Sequence, residues 1–287
     1  MTVKSAIKRI LPARVFLAVR SLPYQLIDLV HPPPAGEIIP PLGRQLDGTR
    51  GYELFRSDGP QTVEFYKTEA GLKPESRMLD IGCGVGRQTI PLLKYLTGDC
   101  LYVGMDIEER SIKWCSRNIS VANPRFVFIA LDVYNKFYNP TGRIRPDKLV
   151  LPFPDNSFDF VTAWSVFTHM YPIDVTNYLR EMCRVLKPGG KTVATFYLIN
   201  EHAKSEVAAG RADWDVSHYL ADTGCWTTNP NIPEDLIGLD EVWVRAAYKE
   251  AGLTLVEPIR LGGWANRDYP KELKRVREQD IVIAQKP

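Results

Sequence analysis

The sequence lacks a long apolar run, a cysteine framework and an excess of charge of one sign. The longest uncharged apolar-rich run, residues 160–173, is too short to span a bilayer, and the run at 15–19 is too short for a secretory signal. The sequence contains 36 basic and 34 acidic residues. Its net charge is therefore close to zero and does not suggest nucleic acid as a partner. We expect a cytoplasmic protein without an integral membrane segment.

The five cysteines are odd in number, and none stands in a Cys-x-x-Cys pattern with histidine partners; they are Cys83, Cys100, Cys115, Cys183 and Cys225. We therefore expect reduced thiols and no metal centre. A chain of 287 residues buries enough surface to fold without disulfides or a structural metal. Its 45% hydrophobic and 24% charged residues exclude disordered, collagen-like and disulfide-dense proteins.

Residues 1–70 differ from the rest of the chain, because short apolar stretches are interrupted by Pro12 and Pro23 and followed by prolines at 32–34 and 40–41. We expect a helical, proline-rich lid over the cofactor or substrate, with the prolines breaking any long amphipathic face. The alternative is an interfacial helix in peripheral membrane contact. It is suggested by five basic residues against Asp28 within positions 1–30: Lys4, Lys8, Arg9, Arg14 and Arg20.

From residue 71 to 287, apolar runs alternate with amphipathic segments, which predicts an α/β fold with a seven-stranded, mostly parallel, doubly wound sheet. The predicted helices are 86–96, 109–118, 173–186 and 239–251, and we expect helical crossovers. The long interval 199–238 predicts a cap insertion after the fifth strand, over the carboxyl edge of the sheet. The predicted strands are 77–81, 101–106, 126–131, 158–163, 191–198, 253–261 and 280–285.

A glycine-rich turn follows the first predicted strand. Asp80 stands near the strand end, and Gly82, Gly84 and Gly86 alternate with Cys83 and Val85 before a helix start. Only glycine permits so tight a turn and lets a ligand lie against bare backbone. A dinucleotide fingerprint needs glycine at position 87, where Arg87 stands, so nicotinamide binding is disfavoured.

The next two strand ends also carry carboxylates. Asp106 ends the second strand, where a carboxylate accepts ribose hydroxyl protons. Asp132 follows the third strand and is suited to accept the exocyclic amino group of a purine. Ile107 and Val133 come directly after these aspartates and can sandwich a flat purine. Three successive strand ends thus predict an adenosyl site.

In this order and spacing, residues 71–287 resemble class I S-adenosylmethionine-dependent methyltransferases. The resemblance also rests on Phe153-Pro-Asp-Asn-Ser-Phe-Asp159 and Leu186-Lys-Pro-Gly-Gly190. It implies S-adenosylmethionine as cofactor, with Asp80 and the loop 82–86 holding the methionine end. It further implies that Asp106 holds the ribose, that Asp132 holds the adenine amine, and that the backbone around Trp164 completes the pocket.

His169 is the candidate catalytic base, because it stands after the fourth strand in a segment that faces the methyl group in this family. A hydroxyl acceptor needs a base, whereas a carboxylate needs only positioning. A histidine bonded to a backbone carbonyl, without a catalytic role, is the alternative. Residues 164–167 read Trp-Ser-Val-Phe and lack the Asn or Asp-Pro-Pro-aromatic pattern of amide or adenine N-methylation, which argues against nucleic acid as the acceptor.

The sequence therefore predicts methyl transfer to a small molecule, with a hydroxyl or carboxylate oxygen of a sugar, glycan precursor or secondary metabolite as the acceptor. Two alternatives stay open: a non-catalytic cofactor-binding module that regulates a partner, and transfer of another group from an adenosyl sulfonium. The oligomeric state is not predicted.

Overall fold

Two sheets organise the molecule, whose computed structural model describes residues 13–45, 50–268, 276 and 278–287; the side chains of residues 13–18 and 20 are not described. Within that part of the chain the strands are β1 (Arg77–Ile81), β2 (Leu101–Asp106), β3 (Phe126–Ala130), β4 (Phe158–Ala163), β5 (Leu186–Phe196), β6 (Leu198–Ile199), β7 (His218–Leu220), β8 (Cys225–Thr227), β9 (Ile237–Asp240), β10 (Thr254–Leu255) and β11 (Asp280–Gln285).

The larger sheet has seven strands in the order β10-β11-β5-β4-β1-β2-β3. Neighbours from β5 to β3 run parallel, whereas β11 is antiparallel to both β5 and β10. The parallel strands are apolar and buried almost throughout, as expected for a sheet covered on both faces. The predicted α/β class with a seven-stranded, mostly parallel sheet is confirmed.

Helices cover the sheet, and polar side chains or proline begin several of them. Glu108 caps the helix that begins at residue 109 by accepting from the Ser111 amide. Asp240 caps the helix that begins at residue 241 by accepting from the amides of residues 242 and 243, and Pro172 is the first residue of its helix. The helices are α1 (Ala13–Val30), α2 (Tyr52–Thr68), α3 (Thr89–Tyr95), α4 (Glu109–Cys115), α5 (Pro172–Val185), α6 (Glu201–Ala208) and α7 (Glu241–Glu250).

The crossover from β3 to β4 differs from the prediction of helical crossovers. Residues 131–157 contain no α-helix and only a short 3-10 turn at Pro146–Lys148. The Asn135 side chain accepts from the amides of Phe137 and Tyr138, and the Asn139 side chain donates to the Val133 carbonyl. Such local bonds compete with helix formation, so the prediction is wrong for this crossover.

Two further predictions from the sequence are wrong, one for a strand and one for a helix break. The strand predicted at 253–261 is reduced to β10 and an isolated bridge between Arg260 and Ile281, because Pro258 has no N–H to donate to the ladder. Pro23 does not break the first segment, since α1 runs through it. The ring is exposed, so water compensates for the lost hydrogen bond there. Lys4, Lys8 and Arg9 lie outside the described residues.

The interval 199–238, predicted as the cap insertion, contains α6, β7 and β8 and forms a four-stranded sheet in the order β6-β9-β8-β7. Its 3-10 turn, Pro233–Asp235, contacts the turn Phe167–His169 that follows β4. The insertion therefore packs beside the carboxyl end of the central strands.

Buried Asp280 joins the two sheets at the start of β11. One carboxylate oxygen accepts from the Leu198 amide and the Trp264 indole at 2.7 Å each, and the other accepts from the Gly262 amide at 2.7 Å. Burial raises the pKa of Asp280 to about 6.

Among the helices that the structure describes, none is long and apolar enough to cross a membrane.

Candidate functional site

The glycine loop, residues 82–86, begins where β1 ends. Gly82, Gly84 and Gly86 have φ of +79°, +53° and +80°, a region that side-chain-bearing residues avoid. The amides of Gly82 and Cys83 both donate to the Met105 carbonyl, at 2.7 and 3.1 Å. The loop is thus fixed against the end of β2, and the predicted tight turn is present at these residues.

Two carboxylates lie at the base of this loop. Asp80 is buried and accepts from the Tyr102 hydroxyl at 2.5 Å. Burial raises the pKa of Asp80 to about 7, against the hydrogen bond from Tyr102, which lowers it. Asp106 accepts from the amides of Gly84 and Glu108, each at 2.8 Å. The structure therefore brings Asp106 into direct contact with the glycine loop.

These residues fit the adenosyl cofactor that the sequence predicts. A Cβ on Gly84 would meet no protein atom within 4 Å, so bare backbone faces open space. A carboxylate oxygen can accept more than one hydrogen bond, so Asp106 suits vicinal ribose hydroxyls. Cys83 is buried with its Sγ facing Gly104, where a Cβ would come within 2.9 Å of the sulfur. Gly104 is therefore needed to let the loop lie close to β2.

The third predicted strand end has a different environment. Asp132 is partly exposed; its carboxylate accepts from the side chain and the amide of Arg143, and this side-chain hydrogen bond lowers its pKa. Val133 is buried and bridges to Ile144, while Ile107 remains partly exposed. Arg143 was not anticipated, because the segment 134–148 has no pattern that pairs it with residue 132.

Helix α2, which precedes β1 in the chain, packs next to the site. Arg87 forms an ion pair with Asp58 at 3.1 Å, and a Cβ on Gly59 would lie 2.1 Å from the Arg87 carbonyl. Tyr66 is fully buried, contacts Thr162 at 3.0 Å and packs edge-on against Trp164, with ring centroids 5.8 Å apart. Trp164 is therefore held by residues of α2. Arg87 was the sequence signal for this contact. A charged side chain at position 87, where a dinucleotide fingerprint has glycine, needs a partner of opposite charge.

The turn Phe167–His169, called the His169 turn below, lies next to the glycine loop. A Cβ on Gly82 would come within 2.3 Å of Val166 Cγ2, so the two loops touch. The Asn135 side chain donates to the His169 carbonyl at 3.1 Å. The ends of β1 and β4 and the start of the β3–β4 crossover are thus joined around one place.

The imidazole of His169 lies between the cap insertion and the β3–β4 crossover. Its Nδ1 is 2.8 Å from the Glu234 carbonyl oxygen, and its Nε2 is 3.5 Å from the Tyr138 hydroxyl. Glu234 also accepts from the Tyr171 hydroxyl at 3.2 Å. Sequence reasoning missed Glu234 and Tyr138, because no local spacing relates residues that lie on separate loops.

Neither a metal site nor a disulfide is found in the part of the chain that the structure describes. No three His, Cys, Asp or Glu side chains come together there as a metal-ligand set. All five cysteines are free thiols.

Comparison with known proteins relates this geometry to a family. Residues 79–194 match the family described as "Methyltransferase domain". The sterol 24-C-methyltransferase of Schizosaccharomyces pombe is 28% identical over 235 residues, which cover 76% of this chain and 54% of that protein. The fatty-acid O-methyltransferase of Mycolicibacterium smegmatis is 30% identical over 153 residues, which cover 52% of this chain and 48% of that protein. The chain thus spans about half the length of these relatives.

The likeness to solved structures concerns the fold alone. The cyclase SpnF superposes with a TM-score of 0.52 at 16% sequence identity, covering 96% of this chain and 95% of that one. A domain match that begins in β1 and ends in β5 is a stronger finding, because it includes the glycine loop, Asp106 and the His169 turn. Residues 79–194 therefore carry a methyltransferase domain of the kind found in class I S-adenosylmethionine-dependent methyltransferases, the family that the sequence resembles, and S-adenosylmethionine is the cofactor of that family.

Proposed function

We propose that this chain transfers a methyl group from S-adenosylmethionine to an oxygen of a small-molecule acceptor, a hydroxyl or a carboxylate. The observation that carries the proposal is the position of the His169 turn, because Val166, the residue directly before it, touches Gly82 of the glycine loop. The imidazole of His169, which can accept a proton, therefore lies three residues along the chain from a residue that touches the expected cofactor site.

In this proposal the cofactor is held by Asp80 and the glycine loop at its methionine end, by Asp106 at its ribose and by Asp132 at its adenine. When bound, S-adenosylmethionine supplies an electrophilic methyl group on a sulfonium. Trp164, with Tyr66 behind it, closes one side and excludes water. An aromatic face also tolerates the positive charge of a sulfonium.

His169 is proposed as the base that removes the acceptor proton. If Nδ1 donates to the Glu234 carbonyl, which lies 2.8 Å away, the lone pair of the neutral imidazole is on Nε2. That nitrogen faces the Tyr138 hydroxyl at 3.5 Å, and an acceptor hydroxyl entering there meets an oriented base. Geometry of this kind is what a general base requires.

The acceptor class rests on the relatives and on the aromatic rings next to His169. Sterols and fatty acids are the acceptors in the names of the two curated relatives. They extend the acceptor class predicted from sequence, which is sugars, glycan precursors and secondary metabolites, to lipid-like small molecules. The rings of Phe137, Tyr138 and His169 pack edge to face, with centroids 4.8 and 5.1 Å apart. The partly exposed rings of Tyr138 and His169 favour an acceptor with an apolar part next to its oxygen.

Methyl-labelled S-adenosylmethionine tests the proposal. The protein is incubated with host extract, and label is counted in polar small-molecule, lipid, glycan, protein and RNA fractions. Label in a small-molecule or lipid fraction, as a methyl ether or ester, supports the proposal. Label in protein or RNA contradicts it. Cofactor binding without any transfer to purified sugars, secondary metabolites or lipids favours the regulatory module, and a product of another mass favours transfer of another group.

His169→Asn gives a sharper test, because the asparagine amide can still donate to the Glu234 carbonyl while the base is lost. We expect kcat to fall by about a hundredfold or more and cofactor affinity to stay unchanged. Tyr138→Phe is the matched control, since it keeps the ring next to His169 and removes only the hydroxyl. Unchanged turnover in His169→Asn would assign His169 a structural role.

A further inference from the structure

Helix α1 exposes an apolar face to solvent. Val19, Leu22, Leu26 and Leu29 are 47, 53, 64 and 80% exposed, and Val30 is 73% exposed. These positions are separated by three or four residues and so lie along one side of the helix. A surface helix of a globular protein normally buries such a stripe, so the arrangement in α1 is reversed.

The polar side of α1 is the one that holds it to the protein. Asp28 accepts from the amides of Leu42 and Gly43 at 2.8 Å each and from the Tyr52 hydroxyl at 2.9 Å. Ser21, on the same side, is buried. Because these bonds fix the rotation of the helix about its axis, the apolar stripe cannot turn inward without breaking them.

A basic cluster adjoins this helix through the turn Leu42–Arg44. The cluster lines a shallow cavity together with Trp114 and Asn118, and consists of Arg44, Arg110, Lys113 and Arg117. Arg44 reaches the Arg110 carbonyl at 3.5 Å, which links the turn next to α1 with helix α4. Within the part of the chain that the structure describes, Lys113 is the one member of the cluster that forms an ion pair, with Glu109 at 2.7 Å. In the sequence, the first 30 residues contain five basic residues and one acidic residue.

We propose that α1 binds the surface of a bilayer that contains anionic lipids. The apolar stripe enters the boundary between headgroups and acyl chains, and the basic cluster, which adjoins the polar side of α1, adds electrostatic attraction to the anionic headgroups. An exposed apolar helix face with basic side chains nearby is the pattern of interfacial binding, and the charge favours lipid over a second copy of this near-neutral chain. This inference is independent of the proposed function, since it requires neither cofactor nor turnover.

Sedimentation of the full chain with vesicles tests the proposal. We expect the protein to bind vesicles of phosphatidylcholine mixed with phosphatidylglycerol more tightly than vesicles of phosphatidylcholine alone, with the difference reduced at high salt. The double variant Leu26→Asp/Leu29→Asp should bind the mixed vesicles at least about tenfold more weakly, because two leucine side chains no longer enter the interface. Val242→Asp is the matched control, since Val242 is 75% exposed on a different helix, α7.

Three outcomes would overturn the proposal. The first is a protein that stays in the supernatant with both kinds of vesicle, and the second is an equal loss of binding in the α1 double variant and in Val242→Asp. The third is a chain that ignores vesicles but changes from dimer to monomer with the α1 substitutions, as measured by light scattering, which would assign the stripe to a second copy. Cofactor affinity, measured on the same samples, shows that the variants are folded.

Discussion

Replacing Gly84 with alanine should weaken cofactor binding and lower the stability of the protein. Gly210→Ala serves as the control, because it should lower the stability by a similar amount without affecting the cofactor. Gly84 has φ of +53° and Gly210, which follows α6, has φ of +67°; a Cβ on either residue would meet no protein atom within 4 Å. Both alanine variants therefore bear the same kind of backbone strain, about 1–2 kcal/mol for a residue held in the left-handed region. Both melting temperatures should fall by a few degrees.

Only Gly84 lies in the glycine loop. If the cofactor lies against its bare backbone, the added methyl group occupies space that the ligand needs. A loss of about 1.4 kcal/mol or more is then expected, which is at least tenfold in Kd, while Gly210→Ala binds like the parent protein. Isothermal titration with S-adenosylhomocysteine measures the affinities, and scanning calorimetry measures the two melting temperatures.

The result depends on the difference in cofactor affinity between the two variants. Equal affinities, with both proteins folded and equally destabilised, would refute the assignment of the cofactor to the glycine loop. A larger loss of stability in Gly84→Ala than in Gly210→Ala would instead show that the open space beside Gly84 is filled by protein in solution.

Three further predictions concern buried charges. Because burial raises the pKa of Asp80 to about 7, the folded protein holds a proton that the unfolded chain releases from about pH 4 upward. The free energy of unfolding should therefore fall by about 4 kcal/mol between pH 4 and 7 owing to this group, and Asp80→Asn should flatten that part of the pH profile in urea titrations. Arg87→Met leaves the nearly buried Asp58 carboxylate without its ion pair and should cost about 3 kcal/mol, much of which the double variant with Asp58→Asn should recover; no recovery would mean that the pair is not coupled. Asp280→Ala removes the acceptor for two amides and the Trp264 indole and should lower the urea midpoint by more than Trp264→Phe does; equal effects would contradict the joint role of the carboxylate.

Strand positions and the glycine loop were predictable from sequence because their signals are local. A parallel strand buried on both faces is a continuous apolar run, and alternate glycines after β1 are required by their positive φ values. Pro258 and Pro23 were misjudged for opposite reasons. The first interrupts a ladder that hydrophobicity alone suggested, and the second lies on an exposed helix face where a missing N–H is tolerated.

The contacts around the proposed base could not be predicted in the same way. The Glu234 carbonyl and the Tyr138 hydroxyl approach His169 from the cap insertion and from the β3–β4 crossover. Backbone carbonyls carry no sequence signal, since every residue has one. Asp132 was identified from its strand position, but its bond to Arg143 depends on the path of a crossover that proved not to be helical.

The close approach of Gly82 and Val166 also limits how the proposed site can be redesigned. Because Val166 Cγ2 occupies the place where a side chain on Gly82 would begin, the two positions share one volume, and a change at either one acts on the other. Libraries aimed at new acceptors should therefore keep Val166 fixed and vary the 3-10 turn of the cap insertion, where Glu234 meets His169 and Tyr171. Acceptor preference and cofactor affinity can then be altered separately.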